Sequence, residues 1–344
     1  MRKVISLTAC LIILLVLFVY PIPAHAGSSQ GKNDLRILAS FLPIYVFTSN
    51  VIQGVPGVSV ELMLPPGTGC PHNYTLTPGD LKKIAASSVL VINGLGMEEF
   101  AGRPVQAANP DIKTIDASRG ITPLEAKEGH SHHGHEHHPG RINAHVWTSP
   151  SLAAVQVRNI AESLSTIDPK HSELYRKNAA NFTARLEKLI SGVKDTAGKL
   201  KKRKVVAFHN VFDYLARDLG LTVVAYIEEN PGQPPSAGNL NKLIQTMQKE
   251  KVAAIFAEPQ YPPRLAQVLS RETGVPFYVL DPVTTAQGAV GLDYYEKVMH
   301  TNLAIIQKAL AGELTDGRNS YRTCKCKRNC KSCASSKECQ YQHP

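Results

Sequence analysis

Past residue 26 the chain has no apolar run long enough to span a bilayer, which excludes a multi-pass membrane protein. It has no stripe of interleaved aromatic and basic residues, which argues against a nucleic-acid groove. There is no HExxH, the helical pair of histidines that many zinc hydrolases use. Charged residues make up only 19% against 43% hydrophobic, too few for a disordered chain. Cysteine is nearly missing from the body of the chain: Cys70 stands alone there, apart from Cys10 near the start and five more within the sixteen residues 324–339.

At 344 residues the chain can bury one large core or two ordinary ones. The formal net charge of +10 is concentrated at the ends. Arg2 and Lys3 carry two of these charges and residues 319–344 a net five, so the rest is close to balanced. Residues 1–26 read as a secretion signal: Arg2 and Lys3, the apolar run Val4 to Tyr20, then Ala24-His25-Ala26 as the cleavage site. A retained anchor is the rival reading. Leu7 to Cys10 looks like a lipoprotein box, but its apolar run follows it instead of preceding it.

From Leu35 onward, short β-branched runs alternate with helical segments. LRILASF, VSVELML, SSVLVING and IKTID read as strands, with helices after the first three. The pattern returns from Lys204 in KVVAFH, TVVAYIE, VAAIFAEPQ and VPFYVLDP. This alternation predicts an α/β chain with two doubly wound, Rossmann-like lobes and parallel sheets. Between them, periodicity restarts at Asp168-Pro169 and runs to about Leu200, a long rigid connecting helix. The expected organisation is a signal at 1–26, an N-terminal lobe at 27–165, a linker helix at 166–200, a C-terminal lobe at 201–318 and a Cys/Lys-rich tail at 319–344.

Gly120 to Ala144 breaks the pattern. It holds His130, His132, His133, His135, His137 and His138, a composition no packed element uses, and reads as a surface loop at 129–139 that binds metal at low affinity. In the tail, Cys324, Cys326, Cys330, Cys333 and Cys339 suit disulfides in an exported protein, or a second, thiolate metal site.

The body of the chain also places single histidines at strand ends and loops. His72 follows VSVELML on a Pro-Pro-Gly loop, before a helix that Thr77, Pro78 and Asp80 should cap. His145 lies beside the only tryptophan, Trp147. His209 and Asp281 each end a strand in the second half. Ligands of open α/β sheets bind at strand C-termini. Three imidazoles and a carboxylate, two from each half, make a tetrahedral Zn²⁺ set. Glu258, also at a strand end, is a rival oxygen ligand or a partner for the far nitrogen of a metal-bound histidine. Cys70, two residues before His72, is a further candidate: an alternative ligand or redox-sensitive neighbour of the metal, or half of a disulfide. Imidazole must be neutral to bind metal, so affinity should fall as pH drops through the ordinary histidine range, near ~6.5.

PPGTGCPHNYTLTPGDLKKIAASSVLVINGLGMEEF, AHVWTSP, VVAFHNVFDYLARDLGL, FAEPQYPPRLAQVLSRETGV and LDP occur in this order. Together they resemble the zinc/manganese solute-binding proteins of ABC importers, from Leu35 to about Leu310. The resemblance implies two α/β lobes bridged by a long helix, with the metal held by His72, His145, His209 and Asp281. It further implies an extracytoplasmic, non-enzymatic carrier, read here as a monomer, that delivers zinc, or alternatively manganese, to a membrane permease. An exported zinc hydrolase using Glu258 as base and a metal-dependent surface adhesin are the competing classes. Cys70 and the cysteine-rich tail depart from the family pattern.

Overall fold

A computed structural model of the chain describes residues 34–69, 71–125, 142–228, 234–286 and 288–312. The secretion segment, Cys70, the histidine-rich loop and the cysteine-rich tail lie outside the described residues.

The first sheet is built from β1 (Leu35–Ala39), β2 (Val58–Leu62), β3 (Val89–Ile92) and β4 (Lys113–Asp116), in the order β2-β1-β3-β4 with every pairing parallel. Helices α1 (Leu42–Val51), α2 (Pro78–Ala86) and α3 (Gly102–Ala108) make the crossovers. The expected box at the start of α2 is present: the Thr77 hydroxyl accepts from Asp80 N–H, and the Asp80 carboxylate accepts from Thr77 N–H. A short ladder, β5 (Leu124–Glu125) and β6 (Ile142–Asn143), then precedes α4 (Pro150–Ile167) and the 28-residue α5 (Ser172–Lys199).

The second sheet repeats the first. It comprises β7 (Lys204–Ala207), β8 (Thr222–Tyr226), β9 (Ala254–Ala257) and β10 (Phe277–Val279), with α6 (Asp213–Leu219), α7 (Ala237–Glu250), α8 (Arg264–Thr273) and finally α9 (Tyr294–Leu310). Its order, β10-β9-β7-β8, has the first strand flanked by the second and third, as in the first sheet, and it too is wholly parallel. Alternation along β7 explains its double cover. Val205 and Ala207 pack toward the core that contains α6 and α9, while Val206 and Phe208 pack toward α7 and α8.

Two expectations change in detail. The stretch Gly120 to Ala144, read as one loop, is pinned at both ends by the β5–β6 ladder. Tyr214 Oη secures that ladder, accepting from Leu124 N–H at 2.9 Å and donating to Asn143 O at 2.6 Å. A two-residue strand is too short to show a period in sequence. The long helix is also more than a connector. Tyr175, Ala179, Phe182, Leu186, Leu189 and Val193 repeat at alternating spacings of four and three and are all buried. They share one continuous hydrophobic core with α1, α4, α9 and both sheets. Each large side chain in that stripe contributes about 1.5–3 kcal/mol of burial. α9 returns to the first half: Asn50 Nδ2 donates to Leu292 O at 2.9 Å, and Tyr295 stacks edge-on to Phe47. Among the described residues no helix is long and apolar enough to cross a membrane.

Candidate metal centre

Three of the four candidate ligands come together. His72 lies on a single 3-10 turn, Pro71–Asn73, reached from the end of β2. His145 and His209 each lie two residues past the end of a strand, β6 and β7 respectively. The His145 ring lies at the centre of the group, its centroid 5.1 Å from that of His72 and 5.2 Å from that of His209, with planes tilted by 77° and 73°. Two imidazoles bound to one tetrahedral ion at ~2.0–2.1 Å would hold their centroids about 5 Å apart. His145 and His209 are 1% and 2% exposed, while His72 is half-buried.

Polar neighbours on the two buried rings decide which nitrogen each presents. His209 Nδ1 lies 2.6 Å from Glu258 Oε1 at the end of β9, a pair buried on both sides. A carboxylate only accepts, so Nδ1 carries a proton, and the neutral ring has its lone pair on Nε2. Gln260 Nε2 holds the other Glu258 oxygen at 2.5 Å. Glu258 thus meets His209 through one oxygen and Gln260 through the other. His145 Nδ1 lies 2.9 Å from Asn143 Oδ1. Asn143 was not singled out in the sequence. An asparagine two residues before a histidine carries no motif, and only folding brings its amide under the ring.

Asp281 hydrogen-bonds within its own loop. Its Oδ1 accepts from Val283 and Thr284 N–H at 2.8 and 3.2 Å, and its Oδ2 accepts from Thr285 Oγ1 at 2.5 Å. The carboxylate is thus turned onto its own loop. Burial raises the Asp281 carboxyl above its ordinary range, against the lowering effect of those hydrogen bonds. The loop itself is stitched to the site. Pro282 O accepts from Trp147 Nε1 at 2.8 Å, and Thr284 O accepts from Gly67 N–H at 2.9 Å. Among the described residues, no group of three or more His, Cys, Asp or Glu side chains forms a finished metal cage.

Beneath His145 lies a second buried acid. Glu98, 7% exposed, accepts from Ser40 Oγ at 2.8 Å and from Asn93 N–H at 2.7 Å through Oε1, and from Gly94 N–H at 3.1 Å through Oε2. Asn93 Nδ2 in turn donates to Ala144 O, the carbonyl just before His145, at 2.9 Å. Gly94 is required there: its φ is +86°, and a Cβ would stand 2.1 Å from Asp116 Oδ1. Burial pushes the Glu98 carboxyl up to about 7; the donors lower it, and the charge of Asp116 adds to the rise. Between pH 4.5 and 7 the native group therefore keeps a proton that the unfolded chain has lost, so stability declines as pH rises through that window. Glu98→Gln is expected to flatten this slope. Relative to the variant, wild type should lose on the order of 3 kcal/mol from pH 4.5 to pH 7, read from urea melts at each pH. Parallel profiles would refute it.

A family model described as zinc-uptake complex component A, periplasmic, matches residues 37–309. The zinc-binding lipoprotein AdcA of Streptococcus pneumoniae (strain R6) is 32% identical over 314 residues, covering 90% of this chain and 61% of the relative. The chain thus spans less than two thirds of that protein's length. The high-affinity zinc uptake system protein ZnuA of Bacillus subtilis is 31% identical over 292 residues, covering 83% of this chain and 90% of the relative. Among solved structures, the solute-binding protein FpvC of Pseudomonas aeruginosa in complex with Mn²⁺ superposes with a TM-score of 0.70. It is 30% identical and covers 80% of this chain and 98% of the other. With the family model matching most of its length and two like-built parallel sheets sharing one core, the chain belongs to the ZnuA family, the periplasmic A components of zinc-uptake complexes.

Proposed function

We propose that this chain captures one divalent metal ion, zinc in preference to manganese, outside the cytoplasmic membrane and hands it to an ABC-type permease. The observation that carries this reading is the spacing of the His72, His145 and His209 rings, 5.1 and 5.2 Å between neighbouring centroids. The nitrogen-rich donor set favours zinc, since manganese prefers more oxygen. Asp281 supplies the fourth ligand by turning from its 283–285 hydrogen bonds toward the rings, a movement of one loop and not of a lobe. The packing of α5 and α9 against both sheets supports this restriction, because a large rotation would tear a continuous core. The histidine-rich loop gathers ions at low affinity, and Glu258 serves as a hydrogen-bond partner of His209, not as a catalytic base. The chain works as a monomer.

The test is a chelator-competition titration of the full chain with Zn²⁺ and Mn²⁺, alongside a screen for zinc-dependent hydrolysis. One tight zinc per chain, weaker manganese and no turnover is the expected result. Turnover, or no site tighter than the histidine-rich loop alone, overturns the reading.

A further inference from the structure

Asn143 has two faces, and hydrogen bonds settle which is which. Its Oδ1 lies 3.0 Å from the backbone N–H of His145 and 2.9 Å from His145 Nδ1. A backbone N–H only donates, so this atom is the amide oxygen. Its Nδ2 lies 2.9 Å from Asn210 O and 3.2 Å from Asp213 Oδ2, both acceptors. The amide cannot flip without facing donors with a donor and acceptors with an acceptor. His145 Nδ1 must therefore carry the proton, and the ring presents Nε2 as its lone pair.

The acceptors belong to the other half of the molecule. Asn210 is the residue after His209, and Asp213 opens α6. Asp213 is held in turn by Tyr226 at the end of β8, whose hydroxyl reaches its two oxygens at 2.9 and 2.8 Å. Burial, the charge of Asp213 and this hydrogen bond all raise the Tyr226 hydroxyl well above its ordinary range, so it stays a donor. A single side chain thus connects the ring of His145 to the residue beside His209.

We propose that Asn143 and Asp213 are inter-lobe positioning residues. Together they fix the tautomer and tilt of His145 relative to His209, so that tight metal binding requires the two halves to be in register. This rests on the reading that both histidines hold the ion. The two rings are backed differently. His209 is held by a carboxylate of its own half, whereas His145 is held by a neutral amide that the Asn210 carbonyl and the Asp213 carboxylate of the opposite half orient together. Separating the halves would leave His209 prepared and His145 free to rotate or change tautomer. The site therefore loses affinity by loss of one ligand's orientation, with no ligand removed.

The experiment compares Asn143→Ala, Asp213→Ala, the double variant and His145→Ala in the full chain. Zinc affinity is read by chelator competition, and the His145 tautomer by ¹⁵N NMR of histidine-labelled protein. Removing the partner of a metal-bound histidine costs about ten- to a hundredfold in metal affinity. Each single relay variant should lose that much, the double should lose no more than the larger single, and the Nδ1–H form of His145 should give way to a tautomer mixture. Affinity within threefold of wild type, with the tautomer retained, overturns the relay. Losses that multiply in the double variant also overturn it, since independent effects would mean no shared path. Should Asn143→Ala fail to fold, Asp213→Ala alone decides, because it leaves the β5–β6 ladder untouched. Wild-type affinity in His145→Ala would instead refute the ligand reading on which the relay stands.

Discussion

Replacing His209 by alanine is expected to abolish tight zinc binding and to destabilise the metal-free protein as well. The two effects share one cause. His209 presents Nε2 because Glu258 occupies Nδ1 at 2.6 Å, and both groups are buried to within 2% of full cover. Loss of an outer partner of a metal-bound histidine costs about ten- to a hundredfold in affinity, so loss of the histidine itself should exceed a hundredfold. In the apo protein the substitution strands Glu258 in a dry pocket. Breaking a buried pair by removing one member costs about 3–5 kcal/mol. Gln260 remains on one carboxylate oxygen and places the expected cost at the lower end. Elemental analysis of purified protein should show the metal content falling from about one equivalent toward that of the histidine-rich loop, and urea melts should show the stability loss. Removing both groups in His209→Ala/Glu258→Gln should recover stability but not zinc. A single variant that still binds zinc tightly would remove His209 from the site.

Trp147→Ala is the second large effect. Trp147 is the only tryptophan and one of the largest fully buried side chains. Its ring meets Phe41 edge-on at 4.9 Å and His145 at 5.2 Å, its Nε1 donates to Pro282 O, and its carbonyl accepts from Tyr295 Oη at 2.7 Å. It therefore ties the His145 segment to the loop of Asp281 and to α9. A cavity of this size costs about 3–5 kcal/mol, and at about 1.4 °C per kcal/mol for a chain of this length the melt should drop by about 4–7 °C. Zinc affinity should fall too, because the wall behind His145 is gone. Trp147→Phe should restore much of the packing but not the bond to Pro282. The same proximity makes the tryptophan a reporter: its emission should change when zinc binds wild type and stay constant in His145→Ala. An Ala variant that melts within 2 °C of wild type would show that these contacts carry little.

Much of the architecture was legible before folding was considered. The alternation of β-branched runs with amphipathic helices implied two parallel α/β sheets, and the 2-1-3-4 order of both matches that reading. The capping of α2 was readable because Thr77, Pro78 and Asp80 act over four residues. The 175-179-182-186-189-193 stripe could be seen as a helix, but its partners could not, since a period tells which face is apolar and not what covers it. The β5–β6 ladder escaped notice because two residues make no pattern.

The site divides along the same line. Sequence determined the identity and spacing of His72, His145 and His209 and their placement just beyond strands or at the head of a turn, because strand ends and loop punctuation are local properties. Tertiary structure alone decided that the three rings meet, that Glu258 lies against His209, and that the Asn143 amide reaches across to Asp213. These are contacts between residues tens of positions apart. No local preference encodes them, and they exist only because one continuous core holds the two sheets together.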